Sequence, residues 1–517
     1  MALIGENGSG KTSIFDALDA CLGVRHRGPA LQFERHHFRP LPESGGEEAI
    51  DEIRVRLHFE ERKTGDWPES QRERLAPALV ESPAGKLSVW WEVMARWDAA
   101  AAQARTRWRF LGSDGQPLDH AGSDGLVAEL RRLNPFLVFG NNGQWNAGEE
   151  GLEMDSAERL LAVGGDDLEQ TTREIFGKLS EGWDSLSAKE MRQARAAARR
   201  IWKRLTHLKG GSWAVKRKPG VYRLPSGGAQ SLGPLLVFGS LLQARGARPL
   251  EADVEPIIGG DHIGAMLHPA TLGSVWHVME SLPVQKIVST YSGELVSAMP
   301  LAVLRRLVRR RKGTDVYRFH PHHVQPDELR RLGYHIRARR GGALFDRCWL
   351  LVEGETEFWL LPEMARFSGY RFDAEGVSVV EFAQCGLDPI VKLARQLGIS
   401  WHLLADGDDA GNDYVNAAAA FLVGEPFEKH ITQLPDGDIE QHLWDAGYSD
   451  VYIQAIRAKR GHRRRDRRNA IQRAVNAHSK PFLALSVLNA CARPDSPGVP
   501  PLLKQVIDKA VLLARSN

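Results

Sequence analysis

Four carboxylates carry the clearest chemistry in the chain. Glu353 and Glu357 lie in Val352-Glu353-Gly354-Glu355-Thr356-Glu357, and Asp406 and Asp408 in Asp406-Gly407-Asp408. Each pair follows an apolar run, residues 348–352 in the first case and 401–405 in the second. Short apolar runs closed by acids and glycine read as buried strands. The steps of three and four through Phe358, Leu360, Leu361, Met364 and Ala365 read as a helix. Open α/β sheets gather ligands at the C-terminal ends of their strands, so two such strands bring four acids to one edge. Asp406 and Asp408, two apart in extended chain, share a face, and Glu357 follows Glu353 by about one helical turn. Carboxylates packed this closely repel one another, and hard oxygen ligands suit Mg²⁺ or Mn²⁺. The chemistry such a cluster serves is phosphoryl transfer.

A second constellation opens the chain. Gly5 to Thr12 (Gly-Glu-Asn-Gly-Ser-Gly-Lys-Thr) fits G-x-x-x-x-G-K-[ST] between a short apolar strand and a helix. Backbone N–H groups around Gly5, Asn7, Gly8 and Gly10 would wrap phosphates. Lys11 supplies a point charge, Thr12 a hydroxyl for Mg²⁺, and Ser13 completes the cradle. Few residues precede the loop, which leaves a start upstream of Met1 open.

The first pair of motifs resembles the Toprim motifs of topoisomerases, primases and related nucleases. The order of motifs over the whole chain resembles the OLD (overcoming lysogenization defect) nucleases, in which an ABC-type ATPase head is fused to a C-terminal Toprim domain. Ser226, Gly227 and Gly228 stand where such heads carry the signature loop that binds ATP held by another subunit. Asp261 follows as the Mg²⁺-side acid, with Leu267-His268-Pro269 and then Thr290-Tyr291-Ser292. The resemblance implies ATP with Mg²⁺ at the head, and a pair of Mg²⁺ or Mn²⁺ ions about 4 Å apart at the Toprim site. It implies Glu353, Asp406 and Asp408 as ligands, then Glu357, Asp438 and Glu440, with Lys480 as electrostatic partner. DNA is the implied substrate, and a homodimer through the heads or the helical insertion the implied assembly. A further protein partner stays open.

The chain departs from that pattern at several positions. Gly259 and Gly260 replace large apolar residues, and His262 takes the place of the carboxylate that polarises water. Gly264 replaces an acid, and Tyr291 stands at the switch histidine. The departures predict nucleotide binding with slow hydrolysis.

The elements that must position these groups follow from patterning. The fold expected is α/β: an ABC-type P-loop head over 1–300 with a helical insertion at about 156–210, a basic linker over 301–344, and a Toprim domain with a parallel sheet and a C-terminal helical extension over 345–517. Alternation over 49–62, 86–97 and 106–111 predicts an antiparallel sheet beside the nucleotide core. Basic residues at 304–312, and Arg463, Arg464, Arg465, Arg467 and Arg468, predict contacts with a DNA backbone. His36 and His37 read as ordinary surface residues, and His320, His322 and His323 around Pro321 as a polar loop.

The composition sets limits. The chain has 517 residues, 43% hydrophobic and 26% charged, enough for several domains with sizeable cores. A net charge of only +3 means that attraction to nucleic acid must come from local patches. Cys21, Cys348, Cys385 and Cys491 form no paired motif. No apolar run reaches the length of a membrane span and no signal peptide is evident, so a cytoplasmic protein without a membrane partner is expected. Two alternatives stay open: a topoisomerase- or primase-like Toprim enzyme, and a nucleotide-sensing DNA-binding scaffold that does not cut.

Overall fold

The computed structural model describes residues 1–23, 33–38, 52–118, 124–139, 254–263, 272, 276, 284–310, 313–339, 341–457 and 467–516. The helical insertion at 156–210, the signature residues Ser226, Gly227 and Gly228, Gly264, Leu267-His268-Pro269, and Arg463, Arg464 and Arg465 lie outside them. The chain divides into two compact units. One is Met1–Leu295 with Leu307–Asp315, the other Val296–Arg306 with Val316–Asn517.

The first unit holds two sheets. One is built on β1 (Ala2–Gly5), whose residues are all buried, followed by α1 (Lys11–Leu22). The second is antiparallel: β2 (Glu52–Glu60), α2 (Glu69–Leu75), β3 (Val80–Glu81), β4 (Leu87–Asp98) and β5 (Gln103–Leu111), with β2 and β5 each paired to β4. Strict alternation along β2 turns Ile53, Val55, Leu57 and Phe59 to the core, where Trp91, Val93 and Ala95 of β4 meet them. After α3 (Asp124–Leu133), β6 (Phe136–Phe139), β7 (Ile257–Gly260) and β8 (Gln285–Ser289) complete the parallel part of the first sheet. Phe15, Leu22, Phe136 and Ile287 fill its core.

The run expected as a basic linker forms structure instead. Residues 304–310 are β9 (Leu304–Arg310) and 313–318 are β10 (Gly313–Arg318), and the sheet runs β10-β9-β1-β8-β7-β6. Leu304, Arg306 and Leu307 are the buried residues of β9, and the charge of Arg306 hides the strand in the sequence. Arg306 is 3% exposed, and its guanidinium donates to the carbonyls of Leu397, Gly398 and Asp346. A buried guanidinium wrapped by carbonyls is a structural tie, not a DNA contact. Residues 326–339 then form α4 (Pro326–Arg339).

In the second unit four parallel strands run β12 (Val377–Glu381), β11 (Cys348–Val352), β13 (Ser400–Ala405) and β14 (Ile431–Gln433). β11 is buried at every residue, as a strand covered on both faces must be. Besides α4 and two single-turn helices, its helices are α5 (Glu355–Phe367), α6 (Leu387–Gln396), α7 (Asp409–Ala419), α8 (Ile439–Leu443), α9 (Ser449–Arg457), α10 (Arg467–Ala477), α11 (Lys480–Cys491) and α12 (Pro501–Ser516). The C-terminal helices are not an appendage. Leu483 and Val487 of α11 and Leu503, Val506 and Ile507 of α12 share one core with Leu350, Val352, Leu360 and Met364.

Candidate active site

At the second unit's strand ends the predicted acids lie within electrostatic reach of one another. Glu353 directly follows β11, Glu357 sits buried in the first turn of α5, and Asp406 directly follows β13. Asp408 caps α7, its carboxylate accepting from Gly411 N–H at 2.8 Å. Gly411 is obligatory, because a Cβ there would lie 2.0 Å from the carbonyl oxygen of Asp406. The close approach keeps the start of α7 tight against Asp406. Asp438 caps α8 in the same way, accepting from Gln441 N–H at 2.9 Å. Glu440 is buried on α8 and accepts from the Thr356 hydroxyl at 2.8 Å, while Lys480 Nζ stands 3.9 Å from the same Glu440 oxygen.

The electrostatics follow from burial and like charge. Burial, and then Glu357, Glu353, Asp438 and Glu440, push Asp406 up to about 8. Burial, with Glu440 and Glu353 adding to it, pushes Glu357 up to about 7. Burial and Asp408 raise Glu353, against the pull of Lys480. Burial works against the charge of Lys480, yet Glu440, Glu357, Asp438 and Asp406 together hold its pKa above the ordinary lysine value. One ammonium faces six carboxylates, so the cluster lacks positive charge.

Among the described residues no three His, Cys, Asp or Glu side chains stand close enough to ligate one ion as they are. The geometry gives the reason: Asp408 and Asp438 are turned to helix caps and Glu440 to Thr356, an arrangement that spreads mutually repelling charge. The donor set is entirely carboxylate oxygen, with Glu357 and Glu440 buried and the cluster crowded by like charge, and this chemistry fits a hard divalent cation. Thr356 was not singled out from sequence. Its hydroxyl within the Glu-Gly-Glu-Thr-Glu run was the available signal. Arg467 lies 2.9 Å from Asp445 and donates to Gln441. Arg468 is exposed.

In the first unit Gly5 ends β1, Asn7, Gly8 and Gly10 form the loop, and Lys11, Thr12 and Ser13 begin α1. Lys11 is 2% exposed, and its ammonium donates to Gly5 O and Glu6 O, both at 2.8 Å, and to Ser9 Oγ. It also lies 4.2 Å from the Tyr291 ring centre. Burial lowers its pKa to about 8, against the pull of Asp261 and Glu6. Arg309 donates to Gly8 O and Thr314 to Ser9 O, so β9 and β10 brace the loop.

Asp261 accepts from Ser289 Oγ at 2.5 Å through one oxygen, and its other oxygen is buried without a hydrogen-bond partner among the described residues. An orphaned carboxylate oxygen facing Lys11 fits a Mg²⁺ carried by nucleotide. His262 is held at a φ of 56° with its N–H on Ser289 Oγ, and its ring centre is 5.2 Å from that of Tyr291. Gly259 also finds its reason here, since a Cβ would lie 2.4 Å from the Phe136 ring. The bulk missing from β7 is supplied by β6.

The chain matches the family described as "Protein of unknown function (DUF2813)" over residues 1–212 and 229–343. Residues 344–408 match the "Overcoming lysogenization defect protein-like, TOPRIM domain". It is 32% identical to "Uncharacterized protein YbjD" of Escherichia coli (strain K12), over 100% of this chain and 95% of that protein. Among solved structures, the C-terminal region of the Burkholderia pseudomallei OLD protein is 18% identical over 33% of this chain and 98% of its own, with a TM-score of 0.28. The SMC head domain from Thermotoga maritima is 14% identical over 62% of this chain and 89% of its own, with a TM-score of 0.27. Among the described residues no helix is long and apolar enough to cross a membrane.

Proposed function

The chain belongs to the DUF2813 family and carries an OLD-like TOPRIM domain, and from this together with the acidic strand edge we propose that it is a divalent-metal-dependent DNA endonuclease governed by nucleotide at its P-loop unit. The observation that carries the reading is the meeting of Glu353, Glu357, Asp406, Asp408, Asp438 and Glu440 with Lys480 at one sheet edge. Glu353, Asp406 and Asp408 would hold Mg²⁺ or Mn²⁺ first, with Glu357, Asp438 and Glu440 beside them. When bound there, the ions supply the charge that activates water and steadies the leaving oxygen in phosphodiester hydrolysis. Thr356 fixes Glu440, which in turn steers Lys480 Nζ toward the edge where a scissile phosphate would sit. The tight start of α7 packs Gly411 against the backbone carbonyl of Asp406 and so fixes the chain that carries its carboxylate.

At the head, Lys11, Thr12 and Asp261 are the groups proposed to take ATP and its Mg²⁺. His262 and Tyr291 stand where the attacking water would be oriented, and neither brings a carboxylate. Nucleotide is therefore proposed as a slowly hydrolysed ligand that favours a dimer of heads. The test is nicking of supercoiled plasmid with Mg²⁺ or Mn²⁺, with and without ATP. Nicked and linear products are expected. A ladder of topoisomers would instead mean strand passage, and a mobility shift without cutting would mean a scaffold.

A further inference from the structure

The antiparallel sheet of the first unit has one apolar face and one face of arginines. Its register puts the arginines in rows. Arg54 pairs with Met94 and Met94 with Arg107. Arg56 pairs with Glu92 and Glu92 with Arg109, and Glu52 with Arg96 and Arg96 with Arg105. The next row brings His58 against Trp90, their rings stacked at 3.7 Å and 14°. Six guanidiniums and no lysine thus occupy one surface of three strands, and the side chains of Arg54, Arg96 and Arg105 are 55%, 72% and 74% exposed.

The rows are organised from beneath. Glu92 is fully buried, and each of its oxygens takes one guanidinium, Arg56 at 2.7 Å and Arg109 at 2.6 Å. Burial works to raise its pKa, yet the two arginines hold it below the ordinary carboxylate range. A buried carboxylate gripped twice holds both guanidiniums in place, and each stays partly exposed. Glu52 and Asp98 sit at the edge, with Arg54 and Arg96 on the first and Arg105 on the second. Opposite Met94, Arg107 has no acid across the ladder.

We propose that this face is a nucleic-acid-binding surface that grips the phosphate backbone without reading sequence. Along β5 the arginines recur every second residue, about 7 Å apart. A backbone carries charge about every 3.4 Å of each strand, denser than the arginines, so a run of phosphates offers partners to several of the guanidiniums at once. Arginine, planar and forked, is the residue that binds phosphate in two-point fashion. A ligand here must also compete with carboxylates already seated. A polyanion with condensed counterions gains entropy by releasing them, an advantage that scattered acidic side chains of a protein lack. The stacked His58–Trp90 pair on the same face offers a flat surface to sugar or base.

The inference takes DNA from the proposed function only as the probe, and its test reads binding. The full chain in EDTA is titrated with a short labelled duplex across a range of salt. The triple variant Arg54→Gln, Arg105→Gln, Arg107→Gln leaves Glu92 paired. It should bind at least about tenfold more weakly at physiological salt, with a log–log salt slope reduced by about 0.9 for each phosphate that is no longer neutralised. The corresponding Arg→Lys triple should keep the slope. Should the Gln triple prove misfolded by circular dichroism, Arg107→Glu alone carries the test and should weaken binding in the same direction. Unchanged affinity and slope, no binding by the wild type, or displacement of DNA by polyglutamate as readily as by unlabelled duplex would each overturn the proposal. A wild type that binds through this face but never nicks plasmid sinks the endonuclease reading and leaves this one standing.

Discussion

At the N-terminal loop one buried cation is surrounded by oxygens of its own chain: Lys11 reaches Gly5 O, Glu6 O and Ser9 Oγ. At the C-terminal strand edge several carboxylates face one another with a single lysine nearby, and Asp406 is pushed up to about 8. Both hollows lie at strand ends and both are proposed to handle phosphate, but their charge is held oppositely. The first is satisfied by backbone and keeps its shape by itself. The second is in electrostatic conflict, relieved only in part by capping bonds and by Lys480. A site that is already satisfied must give up hydrogen bonds to take its ligand, whereas a conflicted site gains stability when a cation arrives.

The largest test of this contrast is removal of a carboxylate. Asp406→Ala or Glu353→Ala should lower cleavage by at least the roughly 10²–10³-fold that one electrostatic contact to a transition state is worth, with DNA binding retained. Cutting at the wild-type rate by either variant would remove that residue from the site. The same contrast predicts opposite signs for stability. Asp406→Asn relieves repulsion and should raise the unfolding midpoint in EDTA by a few degrees, at roughly 2–4 °C per kcal/mol. Lys11→Ala leaves buried oxygens without a donor, a cost of about 1–3 kcal/mol, and should lower it. Calorimetry of the full chain decides; shifts of the same sign would break the contrast.

Next in size is the head's chemistry. Wild-type phosphate release should stay close to a Lys11→Ala blank, because His262 lacks the charge and second oxygen of the usual carboxylate. A positioned base is worth about 10²–10⁴-fold. His262→Glu should recover only part of this, since residue 262 holds a left-handed backbone, φ 56°, that Glu adopts at a cost of about 1–2 kcal/mol. Steady-state turnover near 1 per second by the wild type, in the range typical of enzymes, would sink the idea.

Both hollows were legible in the sequence because each is local: a loop between strand and helix, or an acid pair just after an apolar run. What the sequence hid depends on partners far along the chain. The strand β9 was obscured by Arg306, whose charge is acceptable only because Leu397, Gly398 and Asp346 supply carbonyls. The partner of Arg467, Asp445 at 2.9 Å, lies 22 residues away in the chain and could not be read from the basic run. Gly259 looked like a defect in β7 until Phe136 was found to fill the space. The arginine face was visible as alternation, but alignment of its rows waits on strand register. Thr356 could be recognised only once α8 brought Glu440 to it.

The smallest predicted effect separates the acid edge from the sheet that carries it. His402 on β13 is fully buried, with Nδ1 2.9 Å from Lys429 O and Nε2 3.0 Å from Thr432 Oγ1. A carbonyl only accepts, so Nδ1 carries the proton and Nε2 accepts from the Thr432 hydroxyl. That hydroxyl oxygen is itself held by Lys509 Nζ at 3.0 Å. A second proton on the ring would place an N–H against an oxygen already bound to an ammonium, in a buried site. Burial, with Lys509 and His430 adding and the Lys429 bond opposing, pushes the ring down to about 3. The folded pKa is therefore below the unfolded value of about 6.5, and the unfolded chain binds the extra proton in between. Stability from neutral His402 is full above about pH 6.5 and is lost as pH falls toward 3. Acidification has the opposite effect on the crowded carboxylates, so the test belongs in the Asp406→Asn background, where their repulsion is reduced. There the unfolding midpoint should fall by a few degrees between pH 7 and about pH 5, since each unit within the window is worth up to about 1.4 kcal/mol. His402→Gln in the same background should start lower and vary less with pH. Equal pH slopes for the two would show that His402 is not the group being charged.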